Sequence, residues 1–231
     1  MAFNGAAGQQ NDILYTAFNQ NQQCLAVGTQ SGFRIYQSDP ATLLLSRDLH
    51  GGIGIIELLY QQHIMALVGG GTNPKWPKNK VIMWNDEEVQ KFEELNHNSE
   101  VLGVRMRPEC VIVLLSNRAY LYSMPGFEII GQIDTLQTGG RPQIGLSHSE
   151  HNFVLALPSP QERIITVKSS LDRTVQDENL VVSDRNPVST LAVTSDGLLM
   201  AVSSINGRRI KIFDLQRKEL IKIVRRGFRQ K

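Results

Sequence analysis

Residues 66–84 read ALVGGGTNPKWPKNKVIMW: an apolar run from Ala66, a middle rich in Gly, Asn, Pro and Lys, and a second apolar run closing on Trp84. Glycine, asparagine and proline interrupt strands and build turns, so the stretch reads strand, turn, strand. The same figure recurs on either side. Leu25–Tyr36 is LAVGTQSGFRIY, Val111–Tyr122 is VIVLLSNRAYLY, Val154–Val167 is VLALPSPQERIITV and Leu199–Phe213 is LMAVSSINGRRIKIF. The residues that anchor these hairpins, Tyr36, Trp84, Tyr122, Val167 and Phe213, are spaced 48, 38, 45 and 46 apart. Four-stranded propeller blades repeat every 40–45 residues or so, and this period fits them.

Gly32, Asn117 and Gly207 mark hairpin turns, and Pro158-Ser159-Pro160 does so in the fourth unit. A further apolar run precedes each later hairpin: Ile53–Leu59, Val101–Met106, Ile144–Ser147 and Val188–Val193. No segment keeps a 3.6-residue apolar period over a useful length, which leaves helices minor or absent. The expected fold is all-β, a WD40-type β-propeller with about five blades in a single partial domain over 1–231. None of the units carries the His and Trp-Asp marks of a standard WD repeat, although Phe213-Asp214 is close to one.

The chain has 231 residues, of which 41% are apolar, enough for a substantial core. No run is long enough to span a membrane as a helix. The start, Met1-Ala2-Phe3-Asn4-Gly5, has neither the charged-then-apolar pattern of a signal peptide nor a glycine at position 2 for myristoylation. A cytosolic protein is expected, with Cys24 and Cys110 as buried reduced thiols rather than a disulfide. Net charge is only +2, but it is unevenly placed: Arg208–Lys231 holds ten Lys and Arg against Asp214 and Glu219. A basic end on a mildly acidic body points to an anionic partner: a phosphoinositide headgroup, a membrane surface or nucleic acid.

That basic end contains Leu220-Ile221-Lys222-Ile223-Val224-Arg225-Arg226-Gly227. Successive side chains on a strand face opposite sides, so Arg225 and Arg226 can serve two separate sites. Guanidinium matches phosphate through paired hydrogen bonds and a permanent charge. Three segments around it then resemble a known family. Phe18-Asn19 through Gly32-Phe33-Arg34-Ile35-Tyr36, ending Asp39-Pro40, is similar to the first blade of the PROPPIN or WIPI proteins. Ala66–Gly71 with Pro74-Lys75 and Asn79–Trp84 resembles their second blade. Ile210-Lys211-Ile212-Phe213-Asp214 followed by Val224-Arg225-Arg226-Gly227 resembles their fifth blade and its [FL]-R-R-G motif.

The resemblance implies a seven-bladed, non-enzymatic propeller of autophagy that binds phosphatidylinositol 3-phosphate and 3,5-bisphosphate. One headgroup site would take Ser204 and Arg225, with Arg208 and Arg185 as helpers. The second would take Arg226 together with a blade beyond the motif. The sequence departs from the pattern at Gly207-Arg208, where the family has Gly-Thr, at Asp184, where a His is frequent, and at Val224. Two further blades would follow the motif, so the expectation is a member truncated after its fifth blade with at most one complete site. The implied partners are membrane headgroups and autophagy proteins such as a lipid-transfer protein. The implied location is cytoplasmic, peripheral on preautophagosomal, endosomal or vacuolar membranes, as a monomer. A competing reading is a protein-interaction scaffold that kept the propeller but has lost lipid binding, motivated by Asp184, Arg208 and the two blades expected after the motif.

The other motifs are less telling. Gly69-Gly70-Gly71 is followed by neither Gly-Lys-Ser/Thr nor a helix, so a strand-end bulge or close packing explains it better than a nucleotide loop. Trp76, between Lys75 and Lys78, suits a partner or membrane surface if exposed, and blade packing if it folds back. His148 and His151 have no third ligand cluster beside them, so no metal and no cofactor is expected. No nucleophile elbow, triad or paired carboxylates are apparent, and Phe228 alone is too few aromatics for a nucleic-acid surface.

Overall fold

A computed structural model describes residues 13–137, 142–161, 164–171, 177–182 and 187–225. They form twenty strands in five antiparallel sheets of four, each sheet ordered as its strands occur in the chain. The first sheet is β1 (Ile13–Phe18), β2 (Cys24–Thr29), β3 (Gly32–Gln37) and β4 (Thr42–Asp48). The second is β5 (Ile53–Leu58), β6 (Ile64–Gly69), β7 (Lys80–Asn85) and β8 (Gln90–Asn96). The third is β9 (Gly103–Arg107), β10 (Cys110–Leu114), β11 (Arg118–Ser123) and β12 (Ile129–Asp134). The fourth is β13 (Gly145–Leu146), β14 (Leu155–Pro158), β15 (Ile164–Lys168) and β16 (Glu178–Val181). The fifth is β17 (Val188–Val193), β18 (Leu199–Ser204), β19 (Arg209–Asp214) and β20 (Glu219–Arg225). This is the all-β, four-strand blade pattern that the repeat period predicts, with the quoted hairpins as the second and third strands of each blade.

The anchors have a structural counterpart. Tyr36, Trp84, Tyr122 and Phe213 each lie on the third strand of a blade, where its pairing with the fourth shifts register. The fourth blade has Val167 at that position and keeps its register. A bulge bends the strand and sharpens its twist.

The chain divides into two compact units between Val101 and Leu102. In the first, Phe33, Ile53, Ile56, Met65, Leu67 and Ile82 form one buried core with Trp84 at its margin. Each such side chain contributes about 1.5–3 kcal/mol when removed from water. Polar contacts fasten its two blades. Asn19 Nδ2 donates to Tyr60 O (3.0 Å), and Gln20 both donates to Leu58 O (2.6 Å) and accepts from Tyr60 N–H (2.7 Å). Arg47 donates two hydrogen bonds to Asp86, each of 2.9 Å, and Trp84 Nε1 donates to the same carboxylate. Burial pushes the Asp86 carboxyl up, but these donors and the Arg47 charge outweigh it and hold it below the ordinary range.

The triple glycine is close packing. A Cβ on Gly69 would stand 1.7 Å from Trp76 O, and one on Gly70 would stand 2.4 Å from Gly54 Cα. Gly71 adopts φ +76°. These glycines let the β6–β7 loop and the start of β5 approach one another.

In the second unit, Ile112, Leu114 and Leu121 pack with Leu155 and Leu157, joining the third and fourth blades. Val154, Ala156, Ile165 and Val167 pack with Leu191, Met200, Val202 and Phe213, joining the fourth and fifth. Arg107, which is buried, ties the third blade to the fourth. It donates to Ser147 O (2.7 Å) and Ser149 O (2.9 Å), pairs with Glu109 and lies over the Phe153 ring.

Candidate anion-binding site

The fifth blade carries the arginine-rich end. Its registers align Met200 with Phe213 and Leu220, then Val202 with Lys211 and Ile223. Ser203 pairs with Ile210, so the next level holds Ser204 and Arg209, and Arg209 pairs with Arg225. Residues level with one another on neighbouring strands share a face, and alternate levels return to it. Ser204, Arg209 and Arg225 therefore continue the face on which Met200, Val202 and Phe213 are buried against the fourth blade. Met200, Val202 and Phe213 are covered, Leu220 and Ile223 on the fourth strand are exposed, and the end of the face is polar and basic.

Above this row lies the β18–β19 turn. Gly207 takes φ +59° and donates its N–H to Ser204 O (2.8 Å), which closes the turn. Positive φ costs glycine little, whereas other residues lose about 1–2 kcal/mol there. Arg208 projects from this turn and is exposed, as are Arg209 and Arg225; Ser204 is half-buried. Among the described residues, neither Arg208, Arg209 nor Arg225 has an ion-pair partner. Three unneutralised guanidiniums at one sheet end are what an anion site needs.

Of the residues named from the sequence, the fold thus brings Ser204, Arg208 and Arg225 to one end of one blade. Arg185 and Arg226 lie outside the described residues, as does Asp184. Arg209 was missed by sequence reasoning, which stopped at its neighbour Arg208. The signal was parity: Arg209 falls two and four residues before Lys211 and Phe213, on the same side of the strand.

The second candidate surface is separate, on the β6–β7 loop. Trp76 folds back onto its blade, half-buried, with its ring 6.3 Å from Trp84 and inclined at 53°. Lys75 is exposed but donates its backbone N–H to Gly52 O (3.0 Å). Lys78 is exposed, accepts at its carbonyl from Val101 N–H (2.9 Å) and places Nζ 3.5 Å from Glu100. The loop is fastened along its length, with the lysines outward. His148 is half-buried beside Arg107 while His151 is exposed, and no group of three or more His, Cys, Asp or Glu among the described residues is placed to hold a metal. Burial, then the Arg107 and Arg105 charges, push the His148 imidazole down to about 4.

No protein-family model matches the chain. SVP1-like protein 2 of Pichia angusta is 31% identical over 225 residues, covering 93% of this chain and 61% of its own. Autophagy-related protein 18 of Yarrowia lipolytica is 28% identical over 236 residues, covering 94% of this chain and 59% of its own. Its homologues are the Atg18 and SVP1-like proteins of the PROPPIN family. Solved PROPPIN structures share the fold. Hsv2 of Kluyveromyces lactis superposes with a TM-score of 0.81 at 21% identity, over 95% of this chain and 64% of that one. KlAtg21, solved in complex with the coiled coil of AgAtg16, gives 0.77 at 22% identity, over 94% and 72%. The chain spans about six tenths of the length of the curated relatives named here.

Proposed function

We propose that the chain supplies five blades of one propeller domain that binds 3-phosphorylated phosphoinositides through the end of its fifth blade and brings autophagy proteins to the membranes that carry them. It acts by binding, not turnover. The observation that carries this reading is the convergence of Ser204, Arg208 and Arg225 on one blade end, with no counter-charge among the described residues. Arg225 supplies the principal phosphate contact, with Ser204, Arg208 and Arg185 around it and Arg226 serving a neighbouring site. The names of the relatives support the autophagy assignment, and the complex of KlAtg21 with the AgAtg16 coiled coil supports recruitment of protein partners. The Lys75–Lys78 loop is the proposed partner or membrane surface. The corresponding location is peripheral, on preautophagosomal, endosomal or vacuolar membranes.

Liposome flotation tests it. Vesicles carrying phosphatidylinositol 3-phosphate should retain the protein, and replacement of both Arg225 and Arg226 by Thr should release it. Equal retention on phosphatidylserine vesicles would refute the reading.

A further inference from the structure

Ser204 and Arg225 stand on the second and fourth strands of their blade, with β19 between them. Neighbouring strands lie about 4.8 Å apart, so roughly 10 Å separates their backbones. The residue level with both on the intervening strand is Arg209. Its Cα is the register partner of Arg225, and their side chains leave the sheet on the same face. Directly opposed residues have their Cβ atoms about 4.5–5.5 Å apart, and like charges in that relation destabilise a sheet. Both arginines are exposed and neither has a carboxylate partner among the described residues. An anion lying between the two forks turns that repulsion into paired, charge-assisted hydrogen bonds.

We infer that Arg209 is the central ligand of the blade-five site, a second guanidinium that binds the same phosphate as Arg225. This rests on the phosphoinositide reading and deepens it. The headgroup lies along the row Ser204, Arg209, Arg225, with the two guanidiniums on one phosphoryl group and the serine hydroxyl at the far end. Arg208, on the turn above, adds charge without sharing the row. The second positive group of the site is then supplied by the middle of blade five itself.

The test compares six purified chains, wild type, Arg209→Leu, Arg209→Lys, Arg225→Thr, Arg208→Thr and the double variant Arg209→Leu/Arg225→Thr, on vesicles with and without phosphatidylinositol 3-phosphate and with soluble inositol 1,3-bisphosphate. Loss of one charge-assisted phosphate contact should weaken binding about tenfold or more. That loss is expected for Arg209→Leu and Arg225→Thr, and a smaller one for Arg208→Thr. The double variant Arg209→Leu/Arg225→Thr should bind little worse than Arg225→Thr, because both residues hold one group. Arg209→Lys should recover part of the affinity. Without ligand, Arg209→Leu should melt no lower than wild type, since it relieves a like-charge pair, and this separates a binding defect from misfolding. If Arg209→Leu binds as wild type does while Arg225→Thr does not, the inference is wrong and the phosphoinositide reading stands. If wild type does not distinguish phosphatidylinositol 3-phosphate from phosphatidylinositol, both fall. Loss on vesicles with unchanged binding of the soluble headgroup would also overturn it, by making Arg209 a general membrane contact.

Discussion

Gly69 and Gly207 show how differently one residue type can be required. At Gly69 the need is space: a Cβ would meet Trp76 O at 1.7 Å, and the loop above would have to move. Gly69→Ala should cost about 2–3 kcal/mol, as overpacking does, and should shift the urea midpoint accordingly. At Gly207 nothing lies within 4 Å of a Cβ and only the positive φ matters. Gly207→Ala should cost about 1–2 kcal/mol, a left-handed residue's penalty. Cys110 makes a third case. Burial, with Glu109 next to it, pushes its thiol up to about 12, despite the opposing charge of Arg107. A thiol reagent at pH 8 should therefore leave Cys110 untouched until the protein is denatured, because only thiolate reacts. Gly69 is constrained by Trp76 of the loop that follows it, and Cys110 is buried by residues of other strands such as Ile133 and Leu146. Their residue types are visible in the sequence, but the atoms that constrain them are not.

Between neighbouring blades, the junction of the third and fourth depends on Arg107. Its guanidinium satisfies two carbonyls from the segment after β13 and faces Glu109. Replacing it by Leu strands those groups in a buried setting, for which about 3 kcal/mol is the expected loss. Chemical denaturation should report it. His148 sits in the same place with its imidazole pushed down to about 4. The folded form therefore favours neutral imidazole, while the unfolded chain takes up a proton near the ordinary value of 6.5. Stability should fall as pH drops from about 7 towards 4, with this contribution levelling off below 4. His148→Gln should flatten that part of the melting-temperature profile; an unchanged slope would assign the effect elsewhere. Burial also lowers His97, which acts in the same direction and leaves a residual slope. In the sequence, HSEH shows only two histidines near each other. That one of them faces Arg107 depends on the pairing of two blades.

Along the sequence, positive charge gathers in the fifth blade and after it, with ten Lys and Arg in Arg208–Lys231. Each such residue near an anionic surface adds about 1 kcal/mol of attraction, screened beyond roughly 10 Å at 0.1 M salt. Two kinds of membrane binding should therefore separate on a salt series. Retention on phosphatidylserine vesicles should vanish as salt rises from 0.05 to about 0.5 M. Retention on phosphatidylinositol 3-phosphate should fall less, because hydrogen-bonded guanidiniums in a fixed row are less exposed to screening. Parallel decay of the two curves would mean that the basic end acts as a diffuse patch.

The repeat period, the turn residues and the anchors were enough to establish an all-β chain of four-stranded blades, because strands and turns follow local chemistry that short windows record. The Arg-Arg-Gly motif likewise located a basic end on the fifth blade. Which basic residues share a face was decided by tertiary structure, through strand register. Arg208 and Arg209 are neighbours in the chain, yet one sits on a turn and the other opposite Arg225. The same holds for Trp76, whose composition suits either an exposed or a folded-back ring. It packs on Trp84, and Gly69, against which Trp76 O lies, lets its loop come down onto the blade. Those outcomes depend on contacts between neighbouring strands and loops, and such contacts exist only once the sheets have formed.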